Sequence, residues 1–308
     1  MKRHNRLLLV LAALVAVLAL VAAACGDDDD NTTTTPAAGT GSSPSAAATA
    51  APTFAADSTM GKIVAKGKLI VGVKYDQPGF GLKDPATGKI DGFDIAIAKE
   101  IGKALGLKEN QIEFTEAVSK NRVPYLQEDK VDMVVATFTI NEERKQQIEF
   151  SKPYYVAGQS ILVKKDNTTI KTADDLAGKD VCTAQGSTPA QTLKDKYPQA
   201  KVLLLDAYAS CVSAMKDGRV EAVSTDNVIL LGFAAADPSL KLTGGLFTSE
   251  PYGIGVKKGN TDFSKFIDGV LDTMFKDGTY DKVYDQFLGK FEGLPSAKEA
   301  RESLPATS

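Results

Sequence analysis

Histidine is nearly missing from this 308-residue chain: its one copy, His4, falls in a leading segment that reads as an export signal. The rest of the chain therefore cannot assemble a Ser-His-Asp triad, a Cys-His pair or a histidine metal site. Nor is there a surplus of positive charge. The 36 basic residues face 39 acidic ones, and without Lys2, Arg3 and Arg6 of the leader 33 remain, a net charge near −6. Nucleic acid is not expected as a partner. Long apolar runs are confined to Leu7–Ala24. Bulky apolar side chains are scarce from Gly26 to about Ser58, where Asp27–Asp30 give way to Thr, Ala, Ser, Gly and Pro. Such a stretch cannot offset its ordering entropy.

The basic residues, the apolar run and the small residues Ala22, Ala23 and Ala24 before Cys25 have the order of a secretory signal. The run is long enough to be weighed as a membrane-spanning helix, but no basic stop follows it. The stretch Ala22–Cys25 resembles a bacterial lipoprotein processing site, with Ala22 where that pattern most often has Leu. The resemblance implies cleavage before Cys25 and a diacylglycerol on its thiol; a cysteine that merely follows a signal is the alternative. Residues 1–24 are expected as a lipoprotein signal peptide and 25–60 as a disordered tether. The protein is expected to be extracytoplasmic, held to the outer face of the cell membrane by its lipid.

About 230 residues remain to fold, enough for two lobes of roughly a hundred each. Short β-branched runs at Lys68–Val73, Ile112–Thr115 and Val131–Ala136 alternate with helical periodicity at Phe93, Ile97, Ile101 and Leu105, a βαβαβ pattern. A second series follows, with strands near Asp180–Thr183, Lys201–Leu205 and Glu221–Ser224 and helices from Thr188 and Ala207. The extended segments Tyr154–Lys165 and Tyr252–Lys257 could carry the chain across and back. A stripe of Phe263, Phe266, Ile267, Val270, Leu271, Met274 and Phe275 at helical spacing then covers the first sheet. The expected fold class is α/β, with lobe I at 61–156 and 254–291, lobe II at 157–253, and a loose polar tail at 292–308.

With Cys25 acylated, Cys182 and Cys211 form an even pair in an exported chain. This favours a disulfide over two buried free thiols. It would close 28 intervening residues and contribute roughly 3 to 4 kcal/mol on the chain-entropy model. A catalytic cysteine is not expected without a histidine to activate it.

A zwitterionic ligand needs donors for its carboxylate and acceptors for its ammonium. Asn141 reads as an N-cap, which puts Arg144 in a first helical turn at the carboxyl edge of a sheet, where open α/β folds bind ligands. There a guanidinium can grip a carboxylate through two parallel bonds, or it is a solvated charge among Glu142, Glu143 and Lys145. Ser187 and Thr188 precede Pro189, Ala190 and Gln191, which predicts a capped helix start. Its free N–H groups suit an anion, although capping alone also accounts for these residues. Asp226, after a strand, could accept from an ammonium or cap a helix.

Together, Gly92-Phe93-Asp94, Thr139–Lys145, Tyr154-Tyr155, Gln185–Pro189, Ser224-Thr225-Asp226 and Tyr252-Gly253 resemble the family 3, amino-acid-binding solute receptors of ABC importers, over about Lys62–Gly289. The resemblance implies a two-lobed, type II periplasmic-binding-protein fold, each lobe a sheet flanked by helices, joined by two crossover segments. It implies that Arg144, Ser187 and Thr188 bind the α-carboxylate, while Asp226, Thr139 and the Thr137 carbonyl receive the ammonium. Ala96 departs from the family's helix signature, which usually has an acidic residue there.

A narrower likeness lies in Tyr75–Gly81, Ser119–Pro124, the paired Cys182 and Cys211, and Thr225–Leu230. These look like the glutamate-binding lipoproteins of such importers. Arg122 is then expected on the distal carboxylate, with Asp76 and Phe80 as further ligand contacts; the local alternative pairs Arg122 with Glu116 or Glu128. Glutamate is the expected ligand, and aspartate, glutamine or a basic amino acid the alternatives. A lyase on the same scaffold is a rival reading; no catalytic residue, cofactor or metal is expected. The expected partners are the importer's permease and ATPase subunits and the membrane, with the receptor a monomer.

Overall fold

The structure, a computed structural model, describes residues 52–305. The signal peptide, Cys25 and the tether to residue 51 lie outside the described residues. Among the described residues no helix is long and apolar enough to cross a membrane.

The chain builds two five-stranded sheets. In the first, Leu69–Val73 lies between Ile112–Glu116 and Met133–Val134, all parallel, and Gly255–Lys257 and Ile148–Phe150 extend the edge. In the second, Asp180–Ala184 lies between the parallel strands Lys201–Leu205 and Ala222–Asp226, and Gln159–Lys164 then runs antiparallel to Ala222–Asp226. The same strand order, set by the same alternation of β-branched runs and helical stripes, occurs twice. Each expected crossing segment divides into two strands. Tyr155–Ala157 and Glu250–Tyr252 pair with each other as a separate two-stranded ribbon between the lobes.

The ribbon is anchored by aromatics. Tyr155 stacks on Tyr252 at 5.7 Å, and Phe80 meets both edge-on at 5.6 and 6.0 Å. Each such pair adds about 0.5 to 1.5 kcal/mol beyond its buried area. In the Thr261–Asp277 helix Phe263, Ile267, Leu271 and Met274 are buried, as its stripe requires. Cys182 and Cys211 are joined in a disulfide within the second lobe, their Cα atoms 5.3 Å apart.

Two boundaries differ from expectation. The tether does not extend to residue 60: Ser58 caps a helix at Thr59–Lys66, Thr59 bonds the Asp262 carboxylate at 2.7 and 2.8 Å, and Phe54 packs edge-on against Phe266. Nor is the described tail loose. Ser296 and Glu299 close a capping box on the helix Ala297–Glu302, which buries Ala297 and Ala300, and Arg301 bonds the Phe275 carbonyl and Asp281. A six-residue helix does not hold alone; packing supplies what its length cannot.

Candidate functional site

A cavity of about 820 Å3 opens between the lobes, with Arg144 and Thr139 on one wall and Ser187, Thr188 and Glu250 on the other. Asn141 caps the helix Glu142–Gln147 by accepting from the Arg144 amide at 2.9 Å, as its sequence predicts. Arg144 is buried rather than solvated. Its guanidinium donates to the Thr139 carbonyl at 2.7 Å and, across the cleft, to the Gly186 carbonyl at 3.3 Å. That close approach depends on Gly186, which has φ +76° and where a Cβ would stand 2.6 Å from the Lys120 Cα. Thr139 and Thr188 bring their hydroxyls within 3.3 Å of each other, also across the cleft.

Ser187 does cap the helix Thr188–Lys196, accepting from the Ala190 amide at 3.2 Å. Its one O–H is already donated to the Ala184 carbonyl at 2.7 Å, so it has no second proton for a carboxylate. Asp226 precedes the helix Asn227–Ala236 without its side chain capping it. Its Oδ2 instead accepts from the Tyr252 hydroxyl at 2.5 Å, and its buried Oδ1 has no partner. Burial, and then Glu250, push the Asp226 carboxyl up to about 7 against the opposing pull of Tyr252, Arg122 and Arg144. An uncompensated buried acceptor is costly, and a cation is its natural complement.

Beyond the lining of the cavity the expected residues take unequal parts. Arg122 forms no ion pair with Glu116 or Glu128; it donates from Nη1 to the Ala136 and Thr137 carbonyls, both at 3.0 Å, and from Nε to the Ser119 carbonyl. Phe138 lies under the guanidinium groups of both Arg122 and Arg144, at 4.3 and 4.9 Å. The Thr137 carbonyl, expected on the ammonium, is thus bonded to Arg122. Phe80 is wholly buried in the aromatic cluster. Asp76 spans the lobes, accepting from the Ala209 amide in the first turn of the helix Tyr208–Lys216, a helix whose own N-cap, Ala207, offers no side chain for the purpose.

Three buried polar residues carry no expectation from the sequence, and of them Glu250 lines the cavity. Lys74 is 2% exposed and donates to the Ser119 hydroxyl at 2.8 Å; burial, and then Arg122, lower its ammonium to about 7. Gln77 is fully buried and its Nε2 has no partner. Glu250 accepts from the Thr188 and Thr248 hydroxyls at 2.7 and 2.8 Å. The pattern-level signal for Lys74 and Gln77 is their place just beyond a buried strand, at its carboxyl end. Glu250 has no local signal. Of the groups suited to a zwitterion, Arg144 lines the cavity, while Gln77, Lys74 and Asp226 are buried beyond its lining.

Comparison with known proteins gives a consistent picture. Residues 69–290 match the pattern of the bacterial extracellular solute-binding proteins, family 3. The chain is 45% identical to the glutamine-binding protein of an ABC transporter from Bacillus subtilis over 231 residues, 75% of this chain and 84% of that one. It is 35% identical to a glutamate-binding protein from Corynebacterium glutamicum over 238 residues, 74% of this chain and 80% of the other. Among solved structures, an ancestral arginine-binding protein bound to glutamine superposes with a TM-score of 0.69 at 44% identity, covering 73% of this chain and 99% of that one.

Proposed function

The chain belongs to the bacterial extracellular solute-binding proteins of family 3, amino-acid receptors of ABC transporters rather than enzymes, and on that premise we propose that its ligand is glutamine. The observation that carries an amino-acid ligand is the buried, partnerless Oδ1 of Asp226 beside the hydroxyl of Tyr252. The ligand's ammonium meets Asp226, its α-carboxylate meets Arg144 and the backbone N–H of Thr188 at the helix start, and its side-chain carbonyl meets Gln77 Nε2 and Lys74. Glutamine rather than glutamate is supported by the higher identity to the glutamine-binding relative, 45% against 35% for the glutamate-binding one; Arg122 spends three of its five N–H donors on backbone carbonyls and keeps those of Nη2. Charge-assisted bonds contribute about 1.5 to 3 kcal/mol each, enough in sum for the roughly 8 kcal/mol of micromolar binding.

Glutamate, the ligand expected from the sequence, is the second reading. It is favoured by three buried cations of the first lobe, Lys74, Arg122 and Arg144, of which Arg144 lines the cleft. Isothermal titration of the purified protein with L-glutamine, L-glutamate, L-aspartate and L-arginine decides: glutamine is expected to bind most tightly. Tighter glutamate binding, lost in Lys74→Met, selects the second reading. Binding of none of the four sinks both.

The receptor is further proposed to act as a lipid-anchored monomer delivering its ligand to the importer's permease and ATPase subunits. Cys25→Ser is expected to move it from the membrane fraction to the medium. Unchanged fractionation removes the lipid from this account.

A further inference from the structure

The sequence places an acidic residue, Asp94, in the first turn of the helix Phe93–Ala104, where it would ordinarily face solvent and complement the helix dipole. Here it is wholly buried. The first turn does not need it: the Phe93 and Asp94 amides already donate to the Gly79 and Phe80 carbonyls at 2.8 and 3.0 Å. Gly92 permits that approach, since a Cβ there would stand 2.2 Å from the Phe80 oxygen. The carboxylate turns inward, accepting from the Tyr154 hydroxyl at 2.7 Å and from the Thr137 amide at 2.9 Å.

Both donors matter to the cleft. Thr137 has φ +44°, one of two non-glycine residues with positive φ among the described residues, in a region that a β-branched side chain rarely adopts. Such a conformation persists only where its surroundings over-determine it. Its carbonyl and that of Ala136 together hold Arg122 Nη1, and its hydroxyl is shared between the Ala136 carbonyl at 2.8 Å and Gln77 Oε1 at 3.1 Å. Tyr154 precedes the ribbon strand Tyr155–Ala157, and its amide donates to the Tyr252 carbonyl. Tyr252 in turn bonds Asp226.

We propose that Asp94 is a positioning residue for the ligand site: fixed by the Tyr154 hydroxyl, its carboxylate pins the Thr137 amide in the left-handed conformation and so aims the carbonyls that orient Arg122. This rests on the receptor reading above, and assigns a role to an acidic residue that never touches ligand.

The test is a double-mutant cycle with Thr137→Gly, because glycine enters positive φ without strain and has less need of the clamp. Titration with L-glutamine and L-glutamate is expected to show Asp94→Asn weakening the tighter of the two by about tenfold in the Thr137 background. In the Thr137→Gly background the same replacement is expected to change Kd less than about threefold. Tyr154→Phe, which keeps the ring and removes only the donor, should repeat the pattern with a loss of about threefold, and carries the test if Asp94→Asn does not fold. Equal losses in both backgrounds, or a lowered melting temperature with no change in Kd, overturn this inference alone. Failure of the unaltered protein to bind either amino acid overturns the ligand assignment, and this inference with it.

Discussion

The two lobes share a strand order but bury opposite charges. Lys74, Arg122 and Arg144, all buried, come from the first lobe, Lys74 just beyond the strand Leu69–Val73 and the arginines from the helices Arg122–Gln127 and Glu142–Gln147, whereas Asp226 ends a central strand of the second and Glu250 lies on the returning ribbon. The one buried carboxylate of the first lobe close to the site, Asp94, faces its own lobe. On the proposed reading the first lobe supplies the cations that meet the ligand's carboxylate and the second the carboxylate that meets its ammonium. A zwitterion satisfies both only by bridging them, which is the differential interaction that a ligand-driven closure requires. The sheet frame is the same in both lobes; the residues at its strand ends are not.

The comparison is broken most sharply at Asp226. Asp226→Asn keeps the shape and removes the cation-binding charge of the second lobe. It is expected to weaken glutamine binding by about 3 to 5 kcal/mol, a hundredfold or more. The melting temperature without added ligand should stay level or rise, since a buried, half-satisfied carboxylate is gone. Titration and thermal melting of the same sample check both. Retained affinity would mean that the ammonium is held elsewhere and that the lobes do not divide the charges as described.

Much of this frame was legible from residues alone. The two βαβ series follow from runs such as Val71, Val73, Val181 and Val223, because a strand buried on both faces must be apolar throughout. The Arg144 turn and the Ser187 cap were legible because capping is decided within four residues. Asp226 was half legible: its position was clear, but cap or ligand contact depended on the distant Tyr252 hydroxyl. Lys74 and Gln77 were legible only as positions beyond a strand and Glu250 not at all, because their partners are distant in sequence: Ser119, Thr137 and Thr188 lie 45, 60 and 62 residues away. The packed tail lay between these cases. The Ser296–Glu299 capping box is written locally, but a helix of six residues is decided by what it covers.

A smaller effect sharpens the contrast between the lobes through pH. Burial raises Asp226 to about 7 and lowers Lys74 to about 7, so the two lobes lose their buried charges in opposite directions. For Asp226 the folded value lies above the unfolded one. Its contribution to stability is therefore full at low pH and lost as pH rises through 7. An ammonium on the carboxylate offsets that loss, so the ligand-induced rise in melting temperature should grow from pH 5 to pH 8. Affinity for glutamine should fall by up to about tenfold per unit below pH 7, as binding must first displace a proton. Lys74 has the opposite sign, with a folded value below the unfolded one and stability lost as pH falls through 7. It gains its charge in the range where Asp226 loses its own, and that charge serves a distal carboxylate better than an amide. Glutamate affinity is thus expected to decline less than glutamine affinity on acidification, narrowing the preference at pH 6. Titrations at pH 6, 7 and 8 with both ligands measure it, and Asp226→Asn should flatten the glutamine profile. Parallel declines for the two amino acids would take Lys74 off the ligand's side chain while leaving Asp226 on its ammonium.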